Sequence, residues 1–161
     1  MKVIKKSALT RQKTVEHINT ERRVLERIRG IPFVIQMQYA FQDEQNLYLV
    51  MDYASGGELF GQLQKLIGHE NVVCFYAAEI LLALEHLHNN KIIYRDIKLE
   101  NILLDSKGHI VLADLGLARF FGERPEDWTV MEFLSFSFCG TVEYMSPEIL
   151  ESKGHTFSSK F

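Results

Sequence analysis

Two short runs near the middle of the chain hold side chains at a spacing that suits phosphoryl transfer. Asp96 and Asn101 lie in Tyr94-Arg-Asp-Ile-Lys-Leu-Glu-Asn101, and Asp114 sits in Ala113-Asp-Leu-Gly116. Moving a phosphoryl group requires a hydroxyl held in line and phosphate charge neutralised by metal ions. A carboxylate can orient the hydroxyl and take its proton. Oxygen donors suit Mg²⁺, a hard cation. The competing reading, two unrelated loop acids, requires the whole pattern to be coincidence, and long multi-part patterns rarely are. A lone Asp-Leu-Gly would carry far less.

The elements around these runs can bring them together. Residues 70–89 form the clearest predicted helix, with Val73, Tyr76, Ile80, Leu84 and Leu87 three and four residues apart. Asn89-Asn90 is its stop. The apolar runs Ile102–Leu104 and Ile110–Ala113 flank Asp105-Ser-Lys-Gly108, a hairpin signal. The hairpin sets the second acid beside the loop that ends at Asn101. Upstream, residues 1–6 read as the end of a strand. Ser7 to about Arg29 reads as a helix, with Val15, Ile18, Leu25 and Ile28 on one face and Gly30 and Pro32 after it. Strands are expected over Phe33–Phe41 and Leu47–Asp52, around the polar turn 42–46. Ser55, Gly56 and Gly57 precede a short helix with Leu59, Phe60 and Leu63.

Composition narrows the class. Of the 161 residues, 47% are hydrophobic and 24% charged, which is a globular balance. The net charge of −3 gives no overall basic field, so no direct nucleic-acid partner is expected. The basic excess in the first thirty residues reads as a solvated helix face. Apolar runs are too short for a bilayer, and no signal peptide is visible. Cys74 and Cys139 have no metal-ligand spacing, so reduced thiols and a cytoplasmic or nuclear location are expected.

Further runs agree in order. Lys2 lies in Met-Lys-Val-Ile-Lys-Lys, and Glu21 follows it on the predicted helix. Gly56-Gly-Glu-Leu-Phe60, Leu84-Glu-His-Leu-His88, Ser137-Phe-Cys-Gly-Thr-Val-Glu-Tyr-Met145 and Ser146-Pro-Glu148 come in sequence. Together with 94–105 they resemble the AGC group of serine/threonine protein kinases. Within it they are most similar to the N-terminal kinase domain of the mitogen- and stress-activated kinases. The resemblance runs from Met1 to about His155.

That resemblance implies an α+β, kinase-like bilobal fold, with residues 1–52 in a partial N-lobe and 53–161 in a partial C-lobe that includes the activation segment. It implies ATP and Mg²⁺ as cofactors, and protein substrates and an upstream activating kinase as partners. Lys2 would hold the ATP phosphates and Glu21 would position it. Met51 would be the gatekeeper, with Asp52 and Ala54 at the adenine edge. Asp96 would be the catalytic base, Lys98 a γ-phosphate contact, and Asn101 and Asp114 the metal ligands. Glu58, Glu100 and Thr141 match substrate-binding positions. Paired carboxylates there would favour arginines upstream of the phosphorylated residue. Ser137 matches the activation-loop phosphosite, with Arg95, Arg119 and His17 as its pocket.

Some features depart from the family pattern. A Gly-rich phosphate loop would precede Lys2, and this chain starts one residue before it. The helices expected after Gly154-His155 are likewise not in the chain. The domain is therefore expected to be incomplete, with apolar faces such as that of residues 73–87 left without partners and a tendency to aggregate. Leu115 stands where the family has Phe and can pack in the same way. Residues 121–136 (FGERPEDWTVMEFLSF) lengthen the activation segment, with an apolar second half. Two other functions stay open: a catalytically incompetent, pseudokinase-like interaction module, and, more distantly, a metal-dependent hydrolase using Asp96 and Asp114.

Overall fold

The structure, a computed structural model, describes residues 1–9 and 12–120, and beyond them Tyr144, Pro147 and Glu151. The chain opens on strand β1 (Lys2–Lys5), a single 3₁₀ turn (Lys6–Ala8) and helix α1 (Gln12–Arg27). Strands β2 (Met37–Gln42) and β3 (Asn46–Met51) follow. All three strands form one antiparallel sheet in the order β1-β3-β2, with Lys2 opposite Leu49 and Met37 opposite Met51. Asp43 closes the β2–β3 turn. Its Oδ1 accepts the Gln45 and Asn46 amides at 2.7 and 2.6 Å, and its Oδ2 accepts the Tyr48 hydroxyl at 2.7 Å. These bonds hold its carboxyl at about 2, below the ordinary 3.8, with the Tyr48 hydroxyl contributing most.

Helix α1 buries Glu21, Val24 and Leu25, and Ile28 just past its end is buried too, while Val15 is exposed. The one continuous helix expected from Ser7 is therefore a 3₁₀ turn followed by α1. The expected end at Gly30 holds: that residue has a φ of +79° and its amide bonds to Gln36 Oε1. Glycine adopts that conformation without steric cost. The strand expected over 33–41 begins only at Met37. Phe33 takes a φ of +62°, and the backbone of Phe33 and Ile35 bonds to both polar groups of Leu112. Those groups are thus spent on a distant hairpin and not on the first sheet.

The remaining elements are β4 (Gly57–Glu58), a 3₁₀ turn (Leu59–Gln62), α2 (Leu63–Leu66), α3 (Glu70–Asn89), β5 (Ile92–Ile93), β6 (Ile102–Leu104), β7 (Ile110–Leu112) and β8 (Arg119–Phe120). Strands β4, β6 and β7 make a second antiparallel sheet, and β5 pairs with β8. Helix α3 has the bounds its periodicity predicts. It buries Ala83, Leu84 and Leu87, whereas Val73, Phe75, Leu81 and Leu82 are exposed. One core joins the two parts: Val24 and Leu25 of α1 and Ile28 just after it belong to the same cluster as Leu87, Ile102, Ile110 and Leu112. Each such side chain removed from water contributes about 1.5–3 kcal/mol. Among the described residues, no helix is long and apolar enough to cross a membrane.

Candidate active site

The loop between β5 and β6 is held by its own side chains. Arg95 has a φ of +68°, which turns the chain sharply after Tyr94. Asp96 and Asn101 are buried. Asn101 Nδ2 donates to the Asp96 carbonyl at 2.9 Å and to Asp96 Oδ2 at 2.8 Å. Two acceptors facing one atom settle which end of the amide is nitrogen. What Asn101 can then offer a cation is Oδ1. Lys98 Nζ lies 3.1 Å from Asp96 Oδ2. That hydrogen bond is the main cause that raises the Lys98 pKa, so it stays an ammonium.

The second acid is brought to this loop by backbone. The Ala113 amide donates to the Asn101 carbonyl at 2.8 Å, and the buried Tyr94 hydroxyl donates to the Ala113 carbonyl. Burial raises the Tyr94 pKa, and the nearby carboxylates of Asp114 and Asp96 raise it further. Tyr94 is thus a neutral donor that ties the two runs together. Asp114 has a φ of +51° and its Oδ1 accepts the Gly116 amide at 3.3 Å. A Cβ on Gly116 would stand 3.2 Å from Asp114 Oδ1, so a side chain there would press on that carboxylate, while Glu21 Oε2 at 3.8 Å would be in ordinary contact.

Lys2 reaches this acid from the first sheet. Its Nζ donates to Glu21 Oε1 and Oε2 at 2.7 and 2.8 Å and lies 3.8 Å from Asp114 Oδ1. The lysine side chain is 39% exposed and the glutamate 4%, so the buried carboxylate is compensated while the ammonium keeps an open side. β1, α1 and the 114–116 loop therefore converge on one cation.

The other residues singled out in the sequence lie around this centre. Met51 ends β3 half-buried, and Ala54 is half-buried just beyond it. Asp52 is exposed; its amide bonds to the Gln36 carbonyl and its Oδ1 accepts from Gln38 Nε2 at 2.6 Å. Glu58 and Glu100 are both exposed, on β4 and on the 3₁₀ turn Leu99–Asn101. Arg95 and Arg119 line one cleft of about 230 Å³, which Thr20 and Arg23 of α1 also line. Arg95 Nε donates to the Leu117 carbonyl at 2.6 Å. His17 falls on α1, but its side chain lies outside what is described, as do Ser137, Thr141 and the 121–136 stretch.

Sequence reasoning missed three participants. Arg23 sat in a basic run read as solvated. Tyr94 carries no role of its own in the 94–101 run as a sequence. Glu79 is buried on α3, where its Oε1 pairs with His109 Nδ1 at 2.5 Å and its Oε2 accepts the Ile110 amide at 2.9 Å. An acid next to Ile80 on the apolar face of a helix was the available signal.

Among the described residues, no cluster of three His, Cys, Asp or Glu side chains could hold a metal alone. The donor set here, one amide oxygen and one carboxylate, fits a cation that completes its shell with phosphate and water, as Mg²⁺ does.

Comparison with known proteins agrees with this geometry. Residues 1–160 match the protein kinase domain family. Human and mouse ribosomal protein S6 kinase alpha-4 are each 54% identical over 158 residues, which covers 96% of this chain and 20% of theirs. The cAMP-dependent protein kinase catalytic subunit of Dictyostelium discoideum is 47% identical over 156 residues, covering 96% of this chain and 22% of its own. The chain spans about a fifth of the length of these relatives. The AGC-type resemblance is borne out by them, and family members use ATP with a divalent cation and act on proteins. A match over nearly every residue, on a fold that sets Lys2, Glu21, Asp96, Asn101 and Asp114 around one centre, means that this chain belongs to the protein kinase domain family.

Proposed function

We propose that the protein containing this chain is a serine/threonine protein kinase that transfers the γ-phosphate of ATP to Ser or Thr of protein substrates with basic residues upstream. The observation that carries this reading is the convergence of Lys2, Glu21 and Asp114 on one side and Asp96, Lys98 and Asn101 on the other. Asp96 orients the substrate hydroxyl and takes its proton as the oxygen attacks. Lys98, kept cationic by Asp96, meets the γ-phosphate. Lys2, held by Glu21, meets the inner phosphates. Asn101 Oδ1 and the Asp114 carboxylate would hold Mg²⁺, which when bound would neutralise phosphate charge. Met51, Asp52 and Ala54 flank the adenine, where the partial N-lobe passes into the partial C-lobe. Glu58, Glu100 and Thr141 receive the peptide.

The same reading covers control. Phosphorylation of Ser137 by an upstream kinase would place a dianion opposite Arg95, Arg119 and His17, ordering the segment by charge-assisted bonds. Ser137→Ala in the full-length protein should then block activation; unchanged activity after upstream activation would remove this step. The site of action in this reading is cytoplasmic or nuclear.

The deciding experiment is label transfer from radioactive ATP to an Arg-rich serine peptide by the full-length protein, with Asp96→Asn beside it. Transfer should fall about 10²–10⁴-fold in the variant, the range a positioned base supplies. Equal label in both would refute the assignment.

A further inference from the structure

Arg27 closes the last turn of α1. It stands roughly 9 Å along the helix axis from Glu21, at 1.5 Å per residue. Its guanidinium carbon lies 4.3 Å from the centroid of the Phe120 ring, within the distance at which a cation is drawn to an aromatic face. Phe120 is half-buried against the common core and is paired with Ile92. Ile92 begins the strand that leads through Tyr94 into Asp96. Phe120 itself belongs to the strand that follows the 114–116 loop. One ring therefore touches the end of the helix that carries Glu21 and sits on the strand pair that frames both acidic loops.

A simpler account exists for Arg27. A cation in the last turn of a helix is favoured by the helix dipole alone. On that account the ring opposite is irrelevant: any cation at position 27 would serve, and Phe120→Leu would change nothing.

We propose that Arg27 and Phe120 form a clasp that sets the inward position of α1, which makes Arg27 a positioning residue acting on Lys2 through Glu21. The geometry leaves little slack for Glu21: both its oxygens are engaged by Lys2, and its side chain is buried. A small rotation of α1 would part Glu21 from Lys2 before it disturbed the loop of Asp96 and Asn101, whose bonds are internal. The predicted signature is thus weaker use of ATP with peptide recognition intact. For its activity arm the clasp rests on the phosphotransferase reading.

The test uses the full-length protein with Arg27→Met, Arg27→Lys, Phe120→Leu, Phe120→Tyr and the Arg27→Met/Phe120→Leu double variant. Arg27 is exposed, so its variants leave the core untouched and folding is not at stake. Arg27→Met and Phe120→Leu should each raise the KM for ATP roughly three- to tenfold, in the range a partly exposed cation–π contact supports. The KM for peptide should stay within about twofold, a split that loss of folded protein would not produce. Arg27→Lys and Phe120→Tyr, which keep a cation and a ring, should retain most of the wild-type value. The double variant should be no worse than either single one. Amide hydrogen exchange over α1 should quicken in Arg27→Met and in Phe120→Leu, and this readout needs no activity. Unchanged exchange and ATP KM in Arg27→Met would overturn the clasp, as would multiplicative losses in the double variant. A wild-type protein that transfers no phosphate would refute the functional reading, and the exchange data would still decide the clasp.

Discussion

The loop of Asp96 and the pair of Lys2 and Glu21 both present charge to the same centre, yet they are built in opposite ways. Asp96, Lys98 and Asn101 lie within six consecutive residues and bond mainly to one another. Lys2 and Glu21 are 19 residues apart, on a strand and a helix that meet only because the core brings them together. The first arrangement is a property of a short stretch of chain. The second is a property of how α1 packs. The loop should therefore keep its shape through events that move the helix, while the pair reports helix position. On the proposed phosphotransferase reading, moving the helix would alter how ATP is held while the loop of Asp96 stays assembled.

The largest effect is expected inside the loop. Asn101→Ala removes both bonds that fix Asp96 and the proposed metal oxygen. Transfer should fall on the order of 10²-fold or more, comparable to losing a positioned base. Stability should fall by about 1–3 kcal/mol, because buried acceptors lose their donor. Steady-state kinetics and a urea titration measure the two. A drop in stability with kcat intact would break the picture of a self-held catalytic loop.

Glu21→Gln probes the other arrangement. The amide can still accept from Lys2 but loses the charge that makes the bond strong. kcat/KM for ATP should fall about tenfold, a modest loss since a charge-assisted bond becomes a neutral one. Peptide KM should be unchanged. An effect as large as that of Asn101→Ala would show that loop and pair are one unit.

The same asymmetry governs what the sequence could reveal. Helix α3 and the hairpin of Ile102–Leu104 and Ile110–Leu112 were legible, because their apolar spacing and their turn are local. Asp96, Asn101 and Asp114 were legible for a related reason: the loop's function is compressed into short runs. Glu79 was not, because its partner amide lies 31 residues away. Nor was the turn through Phe33–Gln36, which gives its backbone bonds to Leu112 in place of the first sheet. Arg23 read as solvated charge because the cleft it lines is completed by Arg95 and Arg119, far along the chain. Val73 fitted the helical period but lies exposed, since periodicity names a face without naming what covers it.

Glu79 offers an intermediate case, since it docks the hairpin that joins the two acidic loops. Glu79→Ala leaves the buried Ile110 amide without its acceptor. Unfolding free energy should drop by about 1–3 kcal/mol. Activity of the folded protein should hold within about twofold, because the Asp96–Asn101 bonds do not pass through α3. A larger loss of kcat at a temperature where the protein is fully folded would mean that the loop is not self-held.

The smallest effect belongs to Asp43, a local network like the catalytic loop but exposed and far from the chemistry. Its folded pKa of about 2 is below the ordinary 3.8, so the carboxylate is the form the fold prefers. Whatever stability this contributes is fully present above about pH 4 and is lost as pH falls through about 2. In a proton–nitrogen correlation titration, the Gln45 and Asn46 amides that donate to Asp43 should shift with a midpoint near 2. Asp43→Ala should lower the urea midpoint slightly at pH 6, and the gap from wild type should narrow on acidification below pH 4. A midpoint near 3.8 would mean that the three bonds to this carboxylate do not favour its charged form. Lys2 faces Leu49 on β3, the strand this turn introduces. A measurable loss of ATP affinity in Asp43→Ala would therefore show that even a remote, self-contained turn helps place the lysine, and that the first sheet is less rigid than the loop it serves.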